Sequence, residues 1–218
     1  MAPFARNGTG SRPGHQIALL QGGRELFPAI ADAIDAAREE IRLETYIFSF
    51  DESGLLVAQA LARAAERGVK VFLMMDGFGT PALPAEWAGR FDASGVSWHV
   101  FQPLGPWGAV VPSRWRRLHR KICVIDGALA FCGGINIMDD FHDPAAGALS
   151  APRLDFAVRV TGPLVQDMQE AAARFWWRST VAQELRDREL PAAWRELQQR
   201  MRQALTVRGQ NAPALDDA

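Results

Sequence analysis

Apolar residues along this chain change repeatedly from one spacing to another, which predicts strands that alternate with helices. Leu26, Ile30 and Ile34 recur four residues apart, as on the buried face of a helix, whereas 69–75 is a short apolar run that fits a buried strand. We predict strands at 41–48, 69–75, 96–101, 119–125, 129–132 and 154–161, and helices at about 26–37, 54–67, 84–94, 163–178 and 190–206. Because the two types alternate, the predicted class is α/β, a layered mixed β-sheet flanked by helices.

The length and the changes in composition predict one domain with short additions at both ends. Residues 1–14 are rich in Gly, Pro and Arg and predict a disordered lead, residues 15–180 form the domain, and residues 181–218 form a helical appendage and tail. In the appendage, 190–206 carries an apolar stripe that packs either on its own domain or on a second half or subunit. Ser53 is predicted to cap the second helix, and Gly68 stands where its C-terminal cap belongs.

Charge and composition restrict the kinds of partner that the chain is expected to bind. The formal net charge is −1, so no global field recruits nucleic acid or anionic lipid. Cys123 and Cys132 are expected to be buried free thiols in a reducing compartment. The chain begins without the apolar core of a signal peptide and has no run of about eighteen apolar residues, so any action on lipid is expected to use peripheral contact.

One segment carries side chains that are suited to phosphoryl-ester chemistry. His119 and Lys121 are two residues apart, so on a strand they point to the same face. A neutral imidazole can attack phosphorus, while the lysine holds phosphate oxygens. Asn136 adds an amide donor, and Gly133 and Gly134 let the backbone approach a ligand closely. An ordinary hairpin with a polar face is the alternative that these residue types alone leave open.

Asp126 belongs to the same segment, and it has two possible roles. It is followed by Gly127 between the strands 119–125 and 129–132, a pair typical of a hairpin turn. We place Asp126 with the catalytic residues because it completes the pattern of His119 and Lys121. Its position in the turn nevertheless favours a role in orienting the turn over contact with substrate.

The run RLHRKICVIDGALAFCGGINIMDD at 117–140 resembles the His-x-Lys signature of the phospholipase D superfamily, and its Gly-Gly form is similar to bacterial cardiolipin synthases. The resemblance extends to 41–54, 62–80 and 154–168, and so to the amino-terminal half of those enzymes over roughly residues 15–178. It implies one phospholipase D-type half without cofactor or metal. The nearby Asp139, Asp140, His142 and Asp143 are not expected to form a metal site.

The resemblance also implies residue roles. His119 is the expected nucleophile, which forms a phosphohistidine, and Lys121 and Asn136 are the expected phosphate ligands. Asp155 fits the acidic residue that accepts a hydrogen bond from the histidine, although it could equally only begin a strand. Glu44, inside an apolar strand, is a weaker candidate for a pocket group and is otherwise an exposed strand residue.

The motif occurs once in this chain, whereas cardiolipin synthases carry two copies. The expected function is phosphatidyl transfer from phosphatidylglycerol to give cardiolipin, or phospholipase D hydrolysis, with a second motif supplied by another half or by a homodimer. The alternatives are a dimeric phosphodiesterase acting on nucleic acid and an inactive isolated half. The expected location is the bacterial cytoplasm, peripheral at the inner membrane.

The loop at 102–118 is long for a compact domain, which often indicates function. Its basic and aromatic side chains suit an anionic phospholipid surface, while a solvated loop and a nucleic-acid groove are the alternatives. These side chains, together with the two cations that follow the loop, are Trp107, Arg114, Trp115, Arg116, Arg117, Arg120 and Lys121. The sequence Asp-Gly-Phe-Gly at 76–79 is expected to be a strand-end turn that lines the cleft.

Overall fold

A computed structural model of the chain describes residues 13–103 and 116–183. The chain divides into two compact units, Met1–Phe175 and Trp176–Ala218. In the second unit, the described residues 176–183 are helical. The predicted helix 190–206, most of the basic loop and most of the predicted lead lie outside the described residues. In the described part of the chain, no helix is both long and apolar enough to cross a bilayer.

The first unit alternates strands with helices, as the apolar pattern predicts. Its strands are β1 (Gln16–Gln21), β2 (Glu40–Thr45), β3 (Lys70–Asp76), β4 (Ser97–Phe101), β5 (Ile122–Ile125), β6 (Leu129–Gly133), β7 (His142–Asp143), β8 (Gly147–Ala148) and β9 (Phe156–Thr161). Its helices are α1 (Gly22–Ala36), α2 (Glu52–Glu66) and α3 (Ala85–Ser94), and the helical residues 164–175 of this unit are called α4.

Seven of the described strands form one mixed sheet in the order β1-β9-β6-β5-β2-β3-β4. The pairs β2–β3 and β3–β4 are parallel, because each connection crosses over through a helix, whereas β5 runs antiparallel to β2. The predicted α/β class with a mixed sheet flanked by helices is therefore confirmed. This topology brings the carboxyl ends of β2 and β3 and the amino end of β5 to the same edge of the sheet.

Apolar side chains from alternate positions of the strands build a cluster on each face of the sheet. On β5, Cys123 belongs to the larger cluster with α1 and α2, whereas Val124 belongs to a smaller cluster with Val165 of α4. Successive residues of a strand point to opposite faces, so the helices cover both sides. A polar site must consequently lie where the strands of the sheet end.

The two cysteines also lie on opposite faces, and both are free. Cys123 is buried as predicted, and this burial raises the pKa of its thiol to about 12. Cys132 is only half-buried, so the expectation that both thiols are buried is wrong for Cys132.

Several predicted boundaries are corrected by the structure. Asp51, not Ser53, caps α2, because its carboxylate accepts the N–H of Gly54 at 2.9 Å. Gly68 follows α2 with φ +90°, as expected of a residue that closes a helix. The predicted strand 119–125 begins only at Ile122, so His119 precedes the strand.

The sheet also contains a strand that the apolar pattern does not predict. β1 pairs with β9 at the edge of the sheet, and Ile17 and Leu19 on it are each 65% exposed. An edge strand of this kind lacks the buried run that identifies an inner strand.

Candidate active site

His119 lies at the edge of the sheet where β2 and β3 end and β5 begins. Its side chain is exposed, and its Nε2 atom lies 3.2 Å from Nζ of Lys121. Because an ammonium group only donates, Nε2 of the imidazole is the acceptor in this contact, and its lone pair faces the lysine. The predicted pairing of His119 and Lys121 on one side of the chain is thus present, although β5 starts after them.

Lys121 is almost buried, with 9% of its surface exposed. Burial lowers the pKa of the Lys121 ammonium, and the charge of Asp155 opposes this effect. Tyr46 lies beside both members of the pair. Its ring centroid is 5.3 Å from that of His119, and Nζ of Lys121 lies 5.4 Å from the Tyr46 centroid. An aromatic face of this kind attracts the cation and restricts the orientation of the imidazole.

Gly133 and Gly134 bring the turn after β6 against the start of β9. The backbone N–H of Gly134 donates to the carbonyl of Phe156 at 3.0 Å. A Cβ atom on Gly134 would lie 2.2 Å from Oδ1 of Asp155, and one on Gly133 would lie 2.4 Å from the Phe156 carbonyl oxygen. Close packing against the backbone therefore requires a glycine at Gly133, whereas a side chain at Gly134 would have to displace the carboxylate of Asp155.

The carboxylate of Asp155 does not hold the imidazole in this structure. Its Oδ1 atom accepts the backbone N–H of Phe156 at 2.8 Å, and within the described residues the hydrogen bond on the His119 ring comes from Lys121. Asn136 is also held by the backbone, because its Oδ1 accepts the N–H of Ile47 at 3.2 Å. Because this bond engages Oδ1, the NH₂ group of the Asn136 side chain is the part that can donate to a ligand.

Asp126 lies at the opposite end of β5 from His119. Its carboxylate accepts the backbone N–H groups of Arg38, Glu39 and Glu40, each at 2.9 Å. Asp126 has φ +51° and Gly127 has φ +61°, the signature of a tight type I′ hairpin turn. The carboxylate of Asp126 therefore fixes the turn, as its position in the sequence favours, and its placement with the catalytic residues stays a prediction.

Glu44 is buried, with 3% of its surface exposed, so it is not an exposed strand residue. One carboxylate oxygen lies 2.7 Å from a guanidinium nitrogen of Arg120. Burial raises the pKa of Glu44 to about 7, although Arg120 and Arg42 act in the opposite direction. A cavity of about 20 Å³, lined in part by Glu44 and Lys121, has room for about one water.

Asp76 is a fully buried carboxylate that organises the segment leading into His119. Its Oδ2 accepts the backbone N–H of Leu118 at 2.6 Å, and its Oδ1 accepts that of Phe78 at 2.8 Å. Arg117 places a guanidinium nitrogen 3.3 Å from the same Oδ1. The pattern at 76–79 suggested a turn at the cleft but not this contact. The available signal was a carboxylate directly after a buried strand.

The acidic residues after Asn136 bind the backbone. Asp139, Asp140 and Asp143 each accept at least one backbone N–H, and Oδ2 of Asp140 does so from the first turn of α1 at 2.6 Å. Among the described residues, no three or more His, Cys, Asp or Glu side chains are grouped as metal ligands would be. Turn and helix contacts therefore explain this acidic run.

Comparison with known proteins places this geometry in a family. The family described as "Cardiolipin synthase, PLD-like domain" matches residues 30–143, which include His119, Lys121 and Asn136. The chain belongs to this family of phospholipase D-like domains. Asp155 lies beyond the matched range, so its expected role is not tested by the match.

Individual relatives agree with the assignment. Cardiolipin synthase B of Escherichia coli strain K12 is 38% identical over 176 residues, which cover 77% of this chain and 42% of the relative. Cardiolipin synthase A of Pseudomonas putida is 34% identical over 76% of this chain and 34% of its own length. The chain thus spans less than half the length of these curated relatives.

A solved structure supports the fold alone. The phospholipase D family member Nuc of Salmonella typhimurium aligns with a TM-score of 0.53 at 18% identity and covers 76% of this chain and 96% of its own. The phospholipase D-like architecture predicted from the sequence is therefore confirmed at the level of family and fold.

Proposed function

We propose that this PLD-like chain is one half of a phosphatidyl transferase in which His119 is the nucleophile. The observation that carries the proposal is the contact between the exposed imidazole and Lys121, with Nε2 accepting from Nζ at 3.2 Å. In this contact Nε2 carries a lone pair, which can attack phosphorus once Nζ of Lys121 turns from the imidazole to the phosphate oxygens. The contact also places a cation where phosphate oxygens would gain charge.

The proposed reaction has two displacements. In the first, Nε2 of His119 forms a bond to phosphorus, the bond from phosphorus to the alcohol oxygen breaks, and a second histidine gives its proton to the leaving alcohol. In the second, an acceptor hydroxyl attacks phosphorus, the nitrogen–phosphorus bond breaks, and the second histidine takes the hydroxyl proton. Water as acceptor gives hydrolysis instead of transfer.

The second histidine is expected from another half or a second copy of this chain. In an in-line displacement the nucleophile and the acid lie on opposite sides of phosphorus, so one histidine cannot do both. The curated relatives are more than twice as long as the part that this chain matches. A partner with its own motif is therefore part of the proposal.

The proposed substrates are phospholipids, with phosphatidylglycerol as both donor and acceptor and cardiolipin as product. The names of the two curated relatives support this choice. The proposed setting is the bacterial cytoplasm, at the inner face of the inner membrane and in peripheral contact with it. Proximity of Asp155 to Lys121 supports a role for Asp155 in tuning the phosphate-binding cation.

A burst experiment tests the nucleophile without needing the second histidine. Bis(p-nitrophenyl) phosphate releases p-nitrophenolate, a leaving group that needs no proton from an acid. For an isolated half we expect one equivalent of nitrophenolate per chain and a nitrophenylphosphoryl adduct, detected by intact mass after an alkaline quench. A dimer that shares one site would give one equivalent per two chains. His119→Ala should abolish both the burst and the adduct, whereas His142→Ala, at an exposed histidine of β7, should keep both. An adduct that survives His119→Ala would refute the assignment.

The lipid and partner parts of the proposal need separate measurements. Light scattering of the purified chain distinguishes a monomer from a dimer near twice 24.0 kDa. A dimer should convert phosphatidylglycerol in vesicles to cardiolipin. Turnover of DNA with no conversion of lipid would instead support a nuclease and refute the proposed substrate class.

A further inference from the structure

Exposed apolar side chains are spread along the end of the sheet that carries His119. Among the described residues, Phe78 is 59% exposed, Phe141 50%, Leu154 76% and Phe156 41%. Phe78 lies on the turn after β3, Phe141 on the loop after β6, and the other two flank Asp155 at the start of β9. The topology brings all three segments to the edge where β2 and β3 end.

The turns that present these side chains are held in place by hydrogen bonds. The N–H of Phe78 donates to the carboxylate of the buried Asp76. Gly77 beside it packs closely on the chain, since a Cβ atom there would lie 2.6 Å from the backbone nitrogen of Pro103. Phe141 donates its N–H to Asp139 at 3.0 Å and accepts the N–H of Leu149 at 2.8 Å. The exposure of these side chains is therefore built into ordered turns.

Cations lie beside one of these apolar side chains, Phe78. The guanidinium of Arg117 lies 5.9 Å from the ring centroid of Phe78, and Arg116 is exposed next to it. Aromatic rings with neighbouring arginines are typical of protein surfaces at the boundary between lipid head groups and acyl chains. Asp76 offsets part of the charge of Arg117, so the apolar contacts should carry most of the binding.

We propose that this edge of the sheet docks on the surface of an anionic phospholipid bilayer, with Phe78 and Phe141 inserted at the boundary. Docking in this orientation points His119 at the lipid phosphates. The inference rests on the proposed function for the identity of the substrate. It adds the surface and the side chains that bring the site to the membrane.

Vesicle co-sedimentation tests the docking edge independently of catalysis. The full chain is mixed with vesicles of equal parts phosphatidylcholine and phosphatidylglycerol, and bound protein is measured against lipid concentration. Replacing both Phe78 and Phe141 with Ser should lower the partition coefficient by at least about tenfold. Leu56→Ser, which removes an apolar side chain of 38% exposure from α2, should leave it unchanged.

Three results would overturn the proposal. In the first, the wild-type protein does not bind the vesicles. In the second, the double variant has the same partition coefficient as wild type. In the third, Leu56→Ser lowers the partition coefficient as much as the double variant does. Vesicle binding needs no turnover, so a failure of the proposed chemistry in the burst experiment would leave the docking result intact.

A protein partner is the competing occupant of this edge. Replacing Leu154 and Phe156 with Ser provides the test, because light scattering and vesicle binding can be measured on the same sample. Reduced vesicle binding with an unchanged solution mass supports the membrane. A dimer that becomes a monomer while vesicle binding stays the same would assign these side chains to a second copy and overturn the proposal.

Discussion

The carboxylate of Asp76 accepts the backbone N–H of Leu118 at 2.6 Å, which ties the end of β3 to the residue just before His119. Asp76 is fully buried and also receives the N–H of Phe78. His119 precedes β5 and so lacks the ladder hydrogen bonds of a strand. Asp76 therefore supplies the anchor that the strand does not.

Asp76→Asn should destabilise the protein by about 1–3 kcal/mol, because an amide NH₂ would replace one acceptor and leave a buried N–H without a partner. The free energy of unfolding in urea measures the effect. Asp35→Asn is the control, since its pair with Arg63 is about 40% exposed on both sides and should cost less than about 1 kcal/mol. Equal losses in the two variants would contradict the anchoring role.

The sequence predicts the sheet better than it predicts the anchors of the site. The pattern of apolar runs identifies the inner strands, and the spacing of His119 and Lys121 correctly places them side by side. The bond from Asp76 to Leu118 joins residues 42 positions apart. It depends on β2 lying between β3 and β5, which no local pattern encodes. Asp51 and Ser53 are equally suitable caps by residue type, and only the tertiary path decides between them.

The roles of the carboxylates show the same limit. The residue type at Asp126 is compatible with catalysis and with a turn, and the three N–H donors that decide for the turn come from residues 38–40. Glu44 could have been exposed or in a pocket by its neighbours in sequence. Its burial follows from Arg120, which approaches from the segment before β5.

Asp126→Asn should lower the stability by about 1–2 kcal/mol without changing the burst of His119. Asn tolerates the positive φ at this position, so the substitution removes the charge and one acceptor while keeping the turn. Urea unfolding and the nitrophenolate burst are measured on the same preparation. If the variant has the stability of wild type but no nitrophenolate burst, Asp126 acts in catalysis and not in the turn.

The pKa of Asp126 gives this stabilisation a pH dependence. Burial alone would raise the pKa, but the three N–H bonds and the charge of Arg38 outweigh it and lower the pKa below its usual 3.8. The unfolded state therefore binds the proton more tightly. The contribution of Asp126 is complete above the unfolded pKa and is lost as pH falls through the lower folded value. Asp126→Asn should remove this part of the acid dependence.

Glu44 should give the opposite dependence. Its pKa rises from 4.5 to about 7 on folding, so the folded state holds the proton over this range while the unfolded state releases it. The contribution of the Glu44 proton to the free energy of unfolding is roughly 3 kcal/mol at most. It is complete below pH 4.5 and is lost as pH rises to about 7. Glu44→Gln should remove this downward slope of unfolding free energy against pH. A slope that is unchanged in the variant would show that another group causes it.

Lys121 can be observed directly because the chain has only two lysines, Lys70 and Lys121. Reductive methylation with ¹³C-formaldehyde labels both lysine amines and the terminal amine for NMR, and Lys121→Arg assigns the Lys121 signal. We expect the Lys121 signal to titrate below the ordinary value of 10.5, because burial disfavours its charged form.

Asp155→Asn should then move the Lys121 titration further down, since the carboxylate of Asp155 is the charge that supports the ammonium. The matched control is Asp143→Asn, which removes an acidic side chain from β7 whose carboxylate instead accepts backbone N–H groups of its own turn. Asp143→Asn should leave the titration in place. The opposing result is that Asp155→Asn leaves the Lys121 titration unchanged and abolishes the nitrophenolate burst of the variant. That result would show that Asp155 acts on the histidine and not on the lysine. A shift of Lys121 with a weakened burst would mean that Asp155 acts by keeping the phosphate-binding cation charged.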